Sequence, residues 1–226
     1  MLINSKMIRF VYLSLGIMLL YGCGSKPADA GGQVASADTA AKTPDQLFVT
    51  CTACHGQNGG GNETMFAPGI VNQDPDYLIR QLKNLKGGVR GGHEKDTYGK
   101  QMVGIAANLK DSEIEPIVKY IKTLPPTTVQ KTVKGNVEAG KAKYTAICAA
   151  CHGPDAAGNK ALFAPRLTGV GDWYLKRQVH NFIEGIRGAH PQDVQGAQMA
   201  AMAKTIGDDQ AITDVVAYIQ TLEKSK

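Results

Sequence analysis

Two late stretches of the chain, from Asp111 to Leu124 and from Asp208 to Leu222, carry apolar residues at helical spacing. Ile114, Ile117, Val118 and Ile121 line the first, and Ile212, Val215, Val216 and Ile219 the second, each a stripe of the kind that faces a core. Both stretches open on acidic residues, which favour the positive end of a helix. The same spacing predicts helices over Asp76 to Lys86 and Trp173 to Ile186, and others over Pro44 to Thr50 and Val137 to Ala150. The segments between are rich in Gly and Pro and read as loops, and no stretch alternates as a strand does. The fold class predicted is all-α.

The pattern is written twice. At an offset of 97 residues, Met65-Phe66-Ala67-Pro68 meets Leu162-Phe163-Ala164-Pro165, and Tyr77-Leu78-Ile79-Arg80-Gln81-Leu82 meets Tyr174-Leu175-Lys176-Arg177-Gln178-Val179. Asn84 meets Asn181, Gly88-Val89-Arg90-Gly91-Gly92-His93 meets Gly185-Ile186-Arg187-Gly188-Ala189-His190, and Gln101-Met102 meets Gln198-Met199. One inserted residue, placed near Gln210, moves the offset to 98 for the last helix. The duplication is of a domain: 43–124 and 135–226 are the two copies, and 125–134, opening on Pro125-Pro126, is the linker. Each copy is small for a free-standing core and needs added apolar mass.

Ahead of them, 1–22 reads as an export signal: Lys6 and Arg9 precede an apolar run of 12 residues from Phe10 to Tyr21, too short to span a bilayer. The ending Leu20-Tyr21-Gly22-Cys23 resembles a bacterial lipoprotein signal, in which Cys23 would be acylated; the alternative is an ordinary cut nearby that leaves a free thiol. Gly24 after that cysteine favours the outer membrane. Residues 23–42 are small and polar and read as a flexible tether.

The chemistry lies in Cys51-Thr52-Ala53-Cys54-His55 and Cys148-Ala149-Ala150-Cys151-His152. Cys-x-x-Cys-His is the attachment signal for c-type haem, because cysteines three apart share one side of a helical turn and both reach the vinyl groups of one porphyrin. A zinc ribbon spaces its pairs far more closely, and a thioredoxin motif needs a βαβ setting. Two covalent haem c groups are therefore expected, on Cys51, Cys54, Cys148 and Cys151. Of the five cysteines, only Cys23 is left over, and acylation accounts for it.

His55 and His152 are the natural proximal ligands. For the second axial position Met102 and Met199 are an aligned pair in Gly-x-Gln-Met, with Met65 and Met202 the neighbouring alternatives. A thioether raises the reduction potential. Arg90 and Arg187 have two open readings, as donors to haem propionates or as residues that cap a loop or sit in water. His93 and His190 read as solvated loop residues, and Trp173, which aligns with Asp76, as a residue packed at the domain interface. The formal charge of +5 falls to +3 when Lys6 and Arg9 leave and to near −1 with four propionates, so nothing points to nucleic acid.

Cys-x-x-Cys-His-Gly, a proline 13 residues beyond the histidine, a late methionine and a final helix ending Tyr-Ile-x-x-Leu resemble class I cytochrome c. Two such units with Tyr-Leu-x-x-Gln-Leu between them resemble the dihaem cytochrome c4 family. The resemblance implies that Pro68 and Pro165 offer carbonyls to the proximal histidines. It also implies that Gly140, Tyr144 and Tyr218 form a helix crossing. Thr43 and Leu47 stand at those places in the first copy, whose crossing is expected to be looser. The function implied is electron transfer rather than catalysis. The expected protein is a lipid-anchored periplasmic carrier serving redox partners in a respiratory chain, such as a terminal oxidase or reductase. A dihaem enzyme, peroxidase or sulfur-compound oxidase, and a fixed subunit of a respiratory complex are the alternatives.

Overall fold

Nine α-helices follow one another in the computed structural model, which describes residues 41–222. The export signal, Cys23 and nearly all of the tether lie outside those residues. The first copy holds α1 (Pro44–His55), α2 (Pro75–Lys86), α3 (Thr97–Ala107) and α4 (Asp111–Ile121). The second holds α5 (Val137–Lys143), a π-helical turn (Tyr144–Cys148), α6 (Ala149–His152), a 3-10 turn (Lys160–Leu162), α7 (Asp172–Ile183), α8 (Val194–Ala203) and α9 (Asp209–Thr221). No strand forms among the described residues; the nearest to one are isolated bridges between Asn62 and Ala67 and between Asn159 and Ala164. No described helix is long and apolar enough to cross a membrane.

Side chains at the helix starts fix the boundaries. Asp74 accepts from the backbone N–H of Asp76 and Tyr77, with Pro75 in the first turn. Asp96 and Asp193 cap α3 and α8 by accepting from Gly99 and Gly196, each at 2.9 Å. These two helices are absent from the sequence expectation, which placed Met102 and Met199 only after a loop and before the final helix. The N-caps of α4 and α9 are Lys110 and Asp208, 98 residues apart, whereas those of α3 and α8 are 97 apart. The inserted residue therefore falls at Gly207, at φ +116°, three residues before Gln210.

The apolar stripes pack as their spacing predicts. Ile117 and Ile121 meet Leu47, Phe48 and Val71 in the first copy, and Ile212, Val215, Val216 and Ile219 meet Tyr144, Val170 and Leu175 in the second. At the α5–α9 crossing a Cβ on Gly140 would overlap the carbonyl oxygen of Asp214, so only glycine lets the two backbones touch. In the first copy Thr43 is the N-cap outside α1, one turn short of such a crossing. The aromatic contact is nevertheless kept. Phe48 lies 5.5 Å from Tyr120, as Tyr144 lies 5.5 Å from Tyr218. Tyr144 is one residue farther from its haem cysteine than Phe48 is, and the π turn takes up that extra residue. The expected loosening at Leu47 is thus offset by Phe48.

The linker is pinned at both ends. Thr127 exchanges hydrogen bonds with the Asn72 side chain. The fully buried Asp172 carboxylate accepts from Thr132 N–H and hydroxyl, Val133 N–H and Trp173 N–H.

Candidate haem sites

Each Cys-x-x-Cys-His ends a helix, and the glycine after it, Gly56 or Gly153, turns the chain with φ near +80°. His55 and His152 are buried, 6% and 7% exposed. His55 Nδ1 lies 2.8 Å from the carbonyl of Pro68, and His152 Nδ1 lies 2.9 Å from that of Pro165. A carbonyl can only accept, so Nδ1 carries the proton and Nε2 is free to bind a metal. Burial lowers both histidine pKa values, which favours the neutral ring a ligand requires. Burial also pushes the Cys51 thiol up, and the Cys148 thiol up to about 11. Neither is a reactive thiolate of the redox-motif kind. Among the described residues no three His, Cys, Asp or Glu side chains converge as they would to hold a metal ion.

Above each histidine opens a cleft, of about 1350 Å³ in the first copy and about 1370 Å³ in the second, open volume included. Cys51, Cys54, His55, Met65 and Met102 line the first; Cys148, Cys151, His152, Met199 and Met202 line the second. Met199 is half-buried while Met202 is 41% exposed, and Met65 is 49% exposed. Similar size, apolar walls and a cysteine pair at each mouth fit one porphyrin per cleft.

Arg90 and Arg187 neither cap loops nor sit in water; they cross between the copies. Arg90 donates to Gln81 Oε1 at 2.8 Å and to Tyr174 Oη at 2.9 Å, while Arg187 donates to Gln178 Oε1 at 2.8 Å and to Tyr77 Oη at 2.8 Å. Among the described residues neither forms an ion pair, and the buried Nε of each has no hydrogen-bond partner. Burial opposes ionisation of Tyr77, yet Arg187, Arg90 and Arg80 outweigh it and lower its pKa. A positive field with two orphaned donors on cleft walls is satisfied by a group bearing carboxylates.

The tyrosine and glutamine of the repeated motif received no role from sequence reasoning, and neither did Arg80, Arg177 or Gln73. For the tyrosines, glutamines and two arginines the common signal is the duplication of Tyr-Leu-x-Arg-Gln at a helix start; Gln73 lies outside that repeat and has no such signal. Gln73, Tyr77, Gln81, Val170, Tyr174 and Gln178 line both clefts. Trp173 lies beneath the Arg177 guanidinium at 5.0 Å, and that guanidinium reaches Tyr98 of the first copy at 4.5 Å. His93 and His190 each accept from a loop backbone N–H two residues on.

Comparison with known proteins agrees with these clefts. The cytochrome c family profile matches residues 41–125 and again 137–223. Cytochrome c4 of Azotobacter vinelandii is 29% identical over 184 residues, 77% of this chain and 85% of that one. The thiosulfate dehydrogenase electron acceptor of Stutzerimonas stutzeri is 26% identical over 76% of this chain and 79% of its own length. The Acidithiobacillus ferrooxidans cytochrome c4 structure superposes with a TM-score of 0.62 at 26% identity, covering 77% of this chain and 99% of that one. With its two tandem matched regions, each built around a covalent haem c motif, the chain belongs to the cytochrome c family and resembles its dihaem cytochrome c4 members.

Proposed function

We propose that this chain is a lipid-anchored periplasmic electron carrier that passes single electrons between a dehydrogenase and a terminal oxidase or reductase. The observation that carries the reading is the shared wall: six side chains border both clefts, so only one layer of protein separates the two cofactors. Haem supplies a one-electron iron couple. The chain's part is to hold each iron between His55 and Met102 or between His152 and Met199, to fix the histidine rings through Pro68 and Pro165, and to bind propionates with Arg90 and Arg187. Held by these two side chains, each iron would change valence with little rearrangement and would offer no place to a substrate.

The likeness to a thiosulfate dehydrogenase electron acceptor supports an oxidising enzyme of that class as donor. The test is an optical redox titration of the dihaem protein. Met102→His and Met199→His should each lower one potential and remove half of the far-red methionine-to-iron band, whereas Met202→Leu should leave both. An unchanged potential removes that methionine from the ligand set, and prompt peroxide turnover by the native protein would favour the enzyme reading. Cys23→Ala should release the protein from the membrane fraction; retention there would remove the lipid anchor.

A further inference from the structure

We propose that each copy steers the other's proximal histidine, with Arg177 and Arg80 as the positioning residues and Gln73 as a third that acts on one side only. The inference rests on the reading of His55 and His152 as iron ligands.

The carbonyls that receive the histidine rings sit on short loops with an unusual backbone. Phe66 and Phe163, each two residues before its proline, have φ of +53° and +56°, a left-handed conformation that bulky side chains avoid. Such a residue persists only where its surroundings hold it. Its own copy supplies part of the hold: Asn62 and Ala67 exchange two backbone bonds, and Phe66 N–H donates to Glu63. The Phe66 carbonyl is held from elsewhere. It accepts from Arg177 Nη2 at 3.0 Å, and Arg177 belongs to α7 of the other copy.

Arg177 is itself fixed, stacked over Tyr98, Trp173 and Tyr174 at 4.5, 5.0 and 5.4 Å. The reciprocal contact runs from Arg80 Nη2 on α2 to the Phe163 carbonyl at 2.9 Å. Arg80 lies over the Phe163 ring at 5.7 Å.

The two sides are not equal. Gln73 Nε2 donates to the Arg166 carbonyl at 3.0 Å, immediately after Pro165. The residue 97 places from Gln73 is Val170, whose side chain donates nothing. The Pro165 carbonyl is thus flanked by two holds from the first copy, and the Pro68 carbonyl by one from the second. A hydrogen bond from Nδ1 to a fixed acceptor orients the ring and raises the basicity of the nitrogen opposite. Each iron's electron density therefore depends on contacts made by the other copy.

The test follows the Nδ1 protons of His55 and His152 by NMR in the fully loaded dihaem protein. Arg177→Met should speed solvent exchange of the His55 proton about tenfold, roughly the lower end of the worth of a hydrogen bond to a charged group, and leave His152 unchanged. Arg80→Met should do the reverse, Gln73→Val should act on His152 alone, and Arg177→Lys should restore most of the protection.

Unchanged exchange in the methionine variants, or equal acceleration at both rings, overturns the proposal. If the methionine variants do not give folded holoprotein, Gln73→Val decides it: no effect, or an effect on both rings, is fatal. A His55 proton without the hyperfine shift of an iron-bound imidazole in the native protein would instead overturn the ligand reading.

Discussion

Asp172 has no counterpart in the first copy, where Pro75 stands at the matching position. Its carboxylate, wholly buried, gathers three backbone N–H groups and a hydroxyl. Asp172→Ala would strand those donors and should destabilise the protein by about 3 kcal/mol, read as a lower denaturant midpoint with unchanged slope. A loss below about 0.5 kcal/mol, the size of an ordinary surface change, would mean that the linker repacks without it. The cysteines that carry the haems stand out in the sequence because their motif is repeated, Cys51 with Cys148, and duplication marks the proposed ligands Met102 and Met199 in the same way. Arg80 and Arg177 do not, because each reads as a solvated position on an amphipathic helix. The carbonyls they hold lie 83 and 111 residues away, and no local pattern encodes such a contact.

The helices α4 and α9 could be read from the chain because their apolar stripes face protein core. The helices α3 and α8 could not, since the methionines they carry face the clefts, where the cofactor supplies the apolar partner. Their one readable signal was Asp three residues before Gly, the N-cap pair at Asp96 and Asp193. At Gly99 and Gly196 a Cβ would overlap the capping carboxylate. The α5–α9 crossing tests the difference between the copies. Gly140→Ala forces backbones apart and should cost about 2 kcal/mol, as overpacking does. Thr43→Ala, which removes an N-cap threonine from α1, should cost about 1 kcal/mol. Equal losses in thermal unfolding of the two variants would mean that the close approach is not what distinguishes the second crossing.

Between the copies runs a near-symmetric lattice in which Arg90 with Tyr174 repeats Arg187 with Tyr77, and Gln81 repeats Gln178. Its symmetry follows from the duplicated Tyr-Leu-x-Arg-Gln and Gly-x-Arg-Gly together, so the contacts were latent in the repeat although the pairing across copies was not. Arg90→Met should shift the potential of the first haem most and that of the second measurably. A shift confined to one haem would show that the lattice does not couple them.

The unpartnered Nε atoms of Arg90 and Arg187 bear also on how the protein is made. A copy that lacks its haem would leave those donors without the carboxylates proposed for them, and a buried donor left unsatisfied costs about 1–3 kcal/mol, enough to weaken docking. The interface is then expected to close more firmly on chains loaded twice than on chains loaded once. A Cys51→Ala/Cys54→Ala variant carrying haem in the second copy alone should show fast amide exchange in α2 and α7. Native-like protection there would exclude it. Chains loaded once would display loosened copies, the form that a housekeeping protease cleaves first.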